Sequence, residues 1–349
     1  MGKNIYVSRQ NSFIDESGKV VILDEAIFSE GLHAVLDKRN NKWGFIDETG
    51  KVVIPCQWED VVDPFYPFYE GLAAVMDEQD KWGFINKTGK VVIPCQWEFV
   101  RSFSRGYEGT LSEALADVAD EHNKWGFIDK TGNLVIPCQW EDVGHFGEGL
   151  AAVMDEQGKW GFINKTGKLV IQCQWKRVDI FSEGLAAVID EQYKWGYIDI
   201  TGKLVIPCRW KEANFFSDGL AAVQNEQDKY GFINKMGELM IPCQWMMINT
   251  CFSERMACVE NEQGEWGYLD TKGKLIIPCQ WKDALNFSNG LAAVENEQGK
   301  YGFIDMTGEI VIPFQWEFLG YFRDGSARFK NERGERLYID ETEKIVEKC

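Results

Sequence analysis

An all-β tandem array is the fold this sequence predicts, and three observations predict it. A Trp-Gly hairpin recurs along nearly the whole chain. Short runs rich in β-branched and aromatic residues flank each recurrence. No segment shows helical periodicity, apart from a weak stretch from Leu111 to Ala119. Self-similarity at a fixed period signals a solenoid, propeller or array rather than one domain with one special pocket.

The hairpin first appears in full as Lys42-Trp43-Gly44-Phe45-Ile46-Asp47-Glu48-Thr49-Gly50-Lys51-Val52-Val53-Ile54-Pro55. It returns at Trp82, Trp125, Trp160 and Trp195, then as Tyr230, Trp266 and Tyr301, with degenerate copies near Asn11 and Arg336. From Trp125 onward the steps are 35 or 36 residues. Trp43 to Trp82 is 39 and Trp82 to Trp125 is 43, which places an insertion in each of those two steps. About ten small antiparallel β-meander units therefore fill 1–349 as a single array. An N-terminal cap spans 1–27, the Trp-Gly repeats 28–321 and a C-terminal cap 322–349.

One unit reads as follows. Gly149-Leu150-Ala151-Ala152-Val153-Met154 is a short apolar strand, and Asp155-Glu156-Gln157-Gly158 a polar turn. Lys159-Trp160-Gly161-Phe162-Ile163-Asn164 is a second strand and Lys168-Leu169-Val170-Ile171 a third. Between them the Asx side chain accepts from the backbone two residues on, and the Gly of Thr-Gly takes the left-handed position of a bulged type I turn. Leu169 and Ile171 oppose Val170, so both faces are apolar and the sheet is expected to be covered on both. The Gly beside each Trp, and the Ala151–Ala152 pair, are expected to admit a neighbouring unit at close range.

Three strands leave the chain at the wrong end to begin the next unit, so each repeat needs a return segment. Cys173-Gln174-Trp175 to Phe181 is the candidate; eight or nine extended residues reach about 27–30 Å. A fourth strand would make a propeller-like blade, closed or open. A crossover would make a curved solenoid. The open solenoid or superhelix is favoured, because both chain ends look like complete caps. Ile5-Tyr6-Val7, Phe13-Ile14-Asp15 and Lys19-Val20-Val21-Ile22 supply three strands at one end. Ser326–Phe329, Leu337–Asp340 and Lys344–Val346 supply three at the other.

Composition narrows function. A net charge of -18 and a pI near 4.7, with no Lys/Arg cluster, argue against nucleic acid and anionic membrane as partners. The charge serves solubility or meets a basic partner. No apolar run reaches membrane-spanning length, and Met1–Val7 lacks a signal-peptide core, so a cytoplasmic location is expected. Seven of the ten cysteines share one repeat position: Cys56, Cys95, Cys138, Cys173, Cys208, Cys243 and Cys279. Units spaced by several strands hold such residues too far apart for disulfides. They are expected to be reduced, buried and apolar in role, with only the local group Cys243, Cys251 and Cys258 placed to pair or to bind something.

The residues Lys-Trp-Gly-Phe-Ile-Asp-Lys-Thr-Gly, followed by Gln-Trp and then Phe-Ser-Glu-Gly-Leu-Ala-Ala-Val, resemble the WG-repeat family, also called KWG repeats, over roughly residues 11–345. This chain departs from it in a Trp after Gln, where many members carry Tyr, and in its Cys column. The resemblance implies a bacterial, β-rich binding module and supplies no catalytic residues.

No catalytic constellation is legible. His33, His122 and His145 stand at no repeated spacing from Cys or acid, so neither a zinc site nor a triad is signalled. No phosphate loop is present. The Asp-Glu-Gln turns, as at Asp77 and Asp155, read as solvated loops with too few oxygens for calcium. No cofactor and no metal are expected. The leading expectation is a non-enzymatic scaffold for a protein partner, the partner itself being unknown. The alternative is a carbohydrate or cell-wall module, whose sugar platform would be an exposed ladder among the fourteen Trp; core packing is the plainer role for those rings.

Binding specificity belongs where repeats differ. The two insertions supply Phe65, Tyr66, Phe68, Tyr69, Tyr107 and Leu111 as candidate partner-binding residues. The variable segment after Gln-Trp supplies Met246 and Met247.

Overall fold

The computed structural model describes residues 12–22, 28–64, 66–101, 103, 115–249, 252–323, 326–330, 336–340 and 345–346, with side chains up to 317. Among them there is no helix. The chain is a tandem series of four-stranded antiparallel sheets, none closed into a barrel. By contact density it divides into two units, Met1–Cys173 and Gln174–Cys349. Leu115–Ala119, at the end of the stretch with weak helical periodicity, is a strand. Its Leu and Val side chains pack better on a half-buried pleat than the short period suggested.

One sheet of the second unit represents the rest. Its strands are Arg177–Val178, Leu185–Ile189, Trp195–Asp199 and Leu204–Trp210, hydrogen-bonded in that order. The return segment resolves the parity problem as a fourth strand. Trp210 ends one sheet, and Glu212–Ala213 at once begins the next as its short first strand. Glu183 and Gly184, with φ of 52° and 85°, form the two-residue turn that joins first strand to second. Ser182 and Leu185 exchange both backbone hydrogen bonds across it.

The third hairpin follows the sequence reading. The Asp199 carboxylate accepts from the backbone N–H groups of Thr201 (2.9 Å) and Lys203 (3.1 Å), and from the Thr201 hydroxyl. That hydroxyl first, then the two amides, holds its carboxyl below the usual range. Gly202 sits at φ 85°. The Oδ1 of Asp190 is likewise committed to Gln192 and Lys194, in the turn between second and third strands.

The close approach at the Trp-Gly pair is not to a neighbouring unit. A Cβ on Gly196 would lie 2.6 Å from the Ile206 carbonyl oxygen and 2.8 Å from the Cys208 Sγ, both in its own sheet. The seven-residue fourth strand faces a five-residue third strand, with register shifts beside Tyr197. The surplus residues arc over Gly196. Contact with the preceding repeat falls instead to the turn glycine. A Cβ on Gly237 would lie 3.1 Å from Ile206 of the repeat before it. The alanine pair does separate the repeats: Ala221 packs with Tyr197 and Trp210 before it, and Ala222 with Trp245 and Phe252 after it.

Polar links repeat at the same joints. The Ser182 hydroxyl donates to the Phe216 carbonyl (2.7 Å), and the Glu183 carboxylate accepts from Gly219 N–H (3.1 Å) and pairs with Lys235 (3.0 Å). Tyr197 meets Phe216 edge-on, centroids 4.9 Å apart, and its hydroxyl donates to the Asn214 carbonyl.

Three expectations need correction. First, the last strand of each sheet, the third of the sequence reading, is not covered on both faces. Val52 and Val53, Leu134 and Val135, Leu204 and Val205 are all exposed, because this strand is the outer edge of every sheet. Prolines such as Pro55 and Pro207 interrupt that edge, which limits strand addition to it. Second, the cysteine column is half-buried rather than buried. Cys56, Cys95, Cys138, Cys173, Cys208 and Cys279 are free thiols whose pKa is pushed up by burial to about 11. Cys95, Cys138, Cys173, Cys243 and Cys279 pack in the cluster that holds the Gln-Trp ring of the preceding repeat, as Cys243 does with Trp210, whereas Cys56 packs with Val35 and Ile46. Of the local trio, Cys243 and Cys258 are free and pack in different clusters, and Cys251 lies outside the described residues. Third, Phe13–Ile14 and Val20–Val21 form no sheet of their own. Phe13 pairs in parallel with Leu36, so the N-terminal hairpin extends the first full repeat's sheet to five strands. At the other end, Phe318–Arg323, Ser326–Lys330, Arg336–Asp340 and Ile345–Val346 make a four-stranded sheet.

Candidate partner-binding surface

The first insertion divides into core and surface. Phe68 is 1% exposed and meets Phe45 edge-on at 5.1 Å, so it is no partner-binding residue. Phe68-Tyr69-Glu70-Gly71-Leu72 is the local form of Phe216-Ser217-Asp218-Gly219-Leu220, which places Phe68 in the core column. That alignment was available in the sequence. Tyr69 replaces the serine; it is partly buried against a core cluster and exchanges backbone bonds with Leu72. Tyr66 is 43% exposed, its amide donating to the Asp63 carboxylate. Phe65, Tyr107 and Leu111 lie outside the described residues.

Met246 and Met247 are 40% and 53% exposed. Met247–Ile248 is the short first strand of its sheet, and Met247 pairs with Glu260. The Met246 Sδ accepts from the Lys229 ammonium at 2.8 Å. The equivalent pairs in neighbouring repeats are charged: Lys176-Arg177, Lys211-Glu212 and Lys282-Asp283. Polarizable, unbranched side chains thus stand where the three neighbouring repeats put ions.

A third feature departs from the repeat pattern. Asp117 occupies the second alanine column and is 2% exposed. Arg101, the last described residue before the second insertion apart from Phe103, reaches it at 3.3 Å. The same guanidinium donates to the Val143 carbonyl (2.6 Å), pairs with Asp142 (3.0 Å) and stacks over Trp125 (4.3 Å). His145 Nδ1 lies 3.6 Å from the Asp117 carboxylate. Burial raises the Asp117 pKa; His145 and Arg101 oppose that rise. This joint ties two successive repeats with side chains 16 and 28 residues from Asp117. The signal that marks it is one acid in a column of alanines.

None of the fourteen Trp is exposed. Trp58, Trp210, Trp245 and Trp281 are buried, and their indole N–H groups have no acceptor. They contribute apolar area, not an open ladder for sugar rings. Among the described residues no group of acids, His and Cys is arranged to hold a metal ion, and no helix is long and apolar enough to cross a membrane.

No curated protein matches the sequence. Among solved structures, the computationally designed Ika8 protein is 10% identical, with a TM-score of 0.43 over 78% of this chain and 93% of that one. BamB from Moraxella catarrhalis is 12% identical, with a TM-score of 0.39 over 67% of this chain and 84% of that one. The family model described as WG containing repeat matches residues 43–80, 82–107, 125–160, 160–191, 195–229, 230–263, 266–301 and 301–333. With the Trp-Gly hairpin repeated through both units and matched over most of its length, this chain belongs to the WG-repeat family.

Proposed function

We propose that the protein is a non-enzymatic scaffold that holds a protein partner on the side chains that break its repeat. A repeat β-fold of this kind suggests a scaffold or binding module. The observation that carries the finer reading is the exposure of Met246 and Met247, where three neighbouring repeats place charged pairs. Two adjacent methionines on a strand edge adapt to a partner's shape without an ion to desolvate. Tyr66 is the corresponding anchor in the first unit. The net charge of -18 favours a partner with basic groups around its apolar contact.

The test replaces the pair by the residues another repeat already tolerates. The double variant M246K/M247R copies Lys176-Arg177 and is expected to fold as the parent does. A quantitative pull-down with the intact chain should lose its specific protein partners in the variant. Retention of all of them at unchanged yield overturns the placement.

A further inference from the structure

The hairpin between third and fourth strands gains apolar residues in the second unit. In the first unit the residue after the Asx is Glu48, Lys87, Lys130 or Lys165. In the second unit it is Ile200, Lys235, Thr271 or Met306; Ile200 and Met306 are exposed there, and so is Met236 one place further on, at 73%. Three of these tips lean on the outer strand of the repeat before them. Gly237, Gly273 and Gly308 sit over Ile206, Ile241 and Ile277, and the Arg209 guanidinium donates to the Gly237 carbonyl at 3.1 Å. The tips therefore form one continuous rim. Along it runs a column of exposed aliphatics, Leu204, Leu239, Leu275 and Ile310.

The residue just before each aliphatic alternates in sign: Lys203, Glu238, Lys274, Glu309, all exposed. The first unit has Lys51, Lys90, Asn133 and Lys168 there, with no acid. A four-step alternation that starts with a cation and ends with an anion is complementary to its own reverse. A two-fold axis through the middle of the rim sets Lys203 against the partner's Glu309, and Glu238 against the partner's Lys274. It also sets Leu204 against the partner's Ile310, and Leu239 against the partner's Leu275. Isologous contacts need this property, and a parallel arrangement would oppose like charges at every step.

We propose that this rim is a self-association surface on which a second copy of the chain docks in reversed repeat order. The apolar column and the methionine tips supply the buried area, and the alternating charges select partner and register. The surface does not include Met246 or Met247, so it stands or falls apart from the scaffold reading.

Sedimentation equilibrium on the intact chain tests it. The parent protein should dimerise reversibly. The variant E238K/E309K leaves four cations in the column, and its dimer should weaken by about tenfold or more. Adding K203E/K274E restores the alternation in inverted order and should return the affinity to near that of the parent. The variant L239D should weaken the dimer while V91D, its counterpart in the first unit, leaves it unchanged. Far-ultraviolet circular dichroism confirms that each variant is folded. A parent protein that stays monomeric at every attainable concentration overturns the proposal. So does a dimer indifferent to E238K/E309K, or one that the fourfold exchange fails to rescue.

Discussion

Gly196 lies directly beneath Cys208: a Cβ on the glycine would stand 2.7 Å from the Cys208 amide nitrogen and 2.8 Å from its sulfur. The Trp-Gly pair is a device internal to each sheet, which lets a longer fourth strand arch over a shorter third one. A thiol can rotate away from such a clash, but the Ile206 carbonyl and the Cys208 amide belong to the strand itself. Gly196→Ala should therefore cost about 2–4 kcal/mol, at or above the usual range for overpacking. Urea unfolding of the full chain checks this. The variant Gly184→Ala, at a turn with open space around it but φ 85°, should cost about 1–2 kcal/mol, through backbone strain alone.

Phe68 and Tyr66 should separate cleanly. Phe68→Ala empties a core position beside Phe45 and is expected to cost about 3–5 kcal/mol. Tyr66→Ala removes an exposed ring and should stay within about 0.5 kcal/mol. Thermal unfolding of the two variants reads the difference; equal losses would show that the inserted segment packs as one block.

The Arg101–Asp117 joint calls for a double-mutant cycle. Arg101→Ala strands a carboxylate in the core and should cost about 2–4 kcal/mol. Asp117→Ala installs the residue most other repeats carry, and leaves Arg101 its contacts with Asp142 and Val143. Its effect should lie within about 1 kcal/mol of zero. The double variant should be more stable than Arg101→Ala alone. A double variant worse than either single would assign the joint's strength to Asp117 itself.

The cysteine column fixes an alkaline response. Burial raises these thiols from the ordinary 9.0 to about 11 in the folded chain, so the folded state binds more protons across that interval. Their contribution to stability is complete below about pH 9 and is lost as pH rises toward 11. At pH 8 an aromatic disulfide reagent should react slowly with the folded protein and fully after denaturation. Rapid labelling of Cys208 at pH 8 in the folded state would contradict the placement of its thiol beneath the strand.

Much of the fold was legible because each unit solves one local problem many times over. The Asx-Thr-Gly turn, the alanine pair and the strand runs all announce themselves within ten residues. The misreadings share a cause. By sequence Gly44 and Gly196 belong to the contact between units, and by structure to their own sheet, because periodicity reveals that a residue is small, not which neighbour requires it. Val53 and Val205 are exposed where the sequence predicts a covered face, because an apolar residue in an edge strand reads like one in a central strand. Phe68 was hidden by its own aromatic neighbours, although its spacing to Gly71-Leu72 marks the core column.

By itself the sequence determined the repeat, the all-β class, the turn chemistry and the family, because those depend on residues close along the chain and on a period repeated many times. Only the tertiary structure decided which glycine faces which strand, that the last strand of each sheet is an outer edge, and that Arg101, Asp117 and His145 meet. Such contacts depend on how strands bulge and how one sheet stacks on the next. The Trp-Gly pattern repeats in every unit whichever neighbour it serves, so it carries no record of that choice.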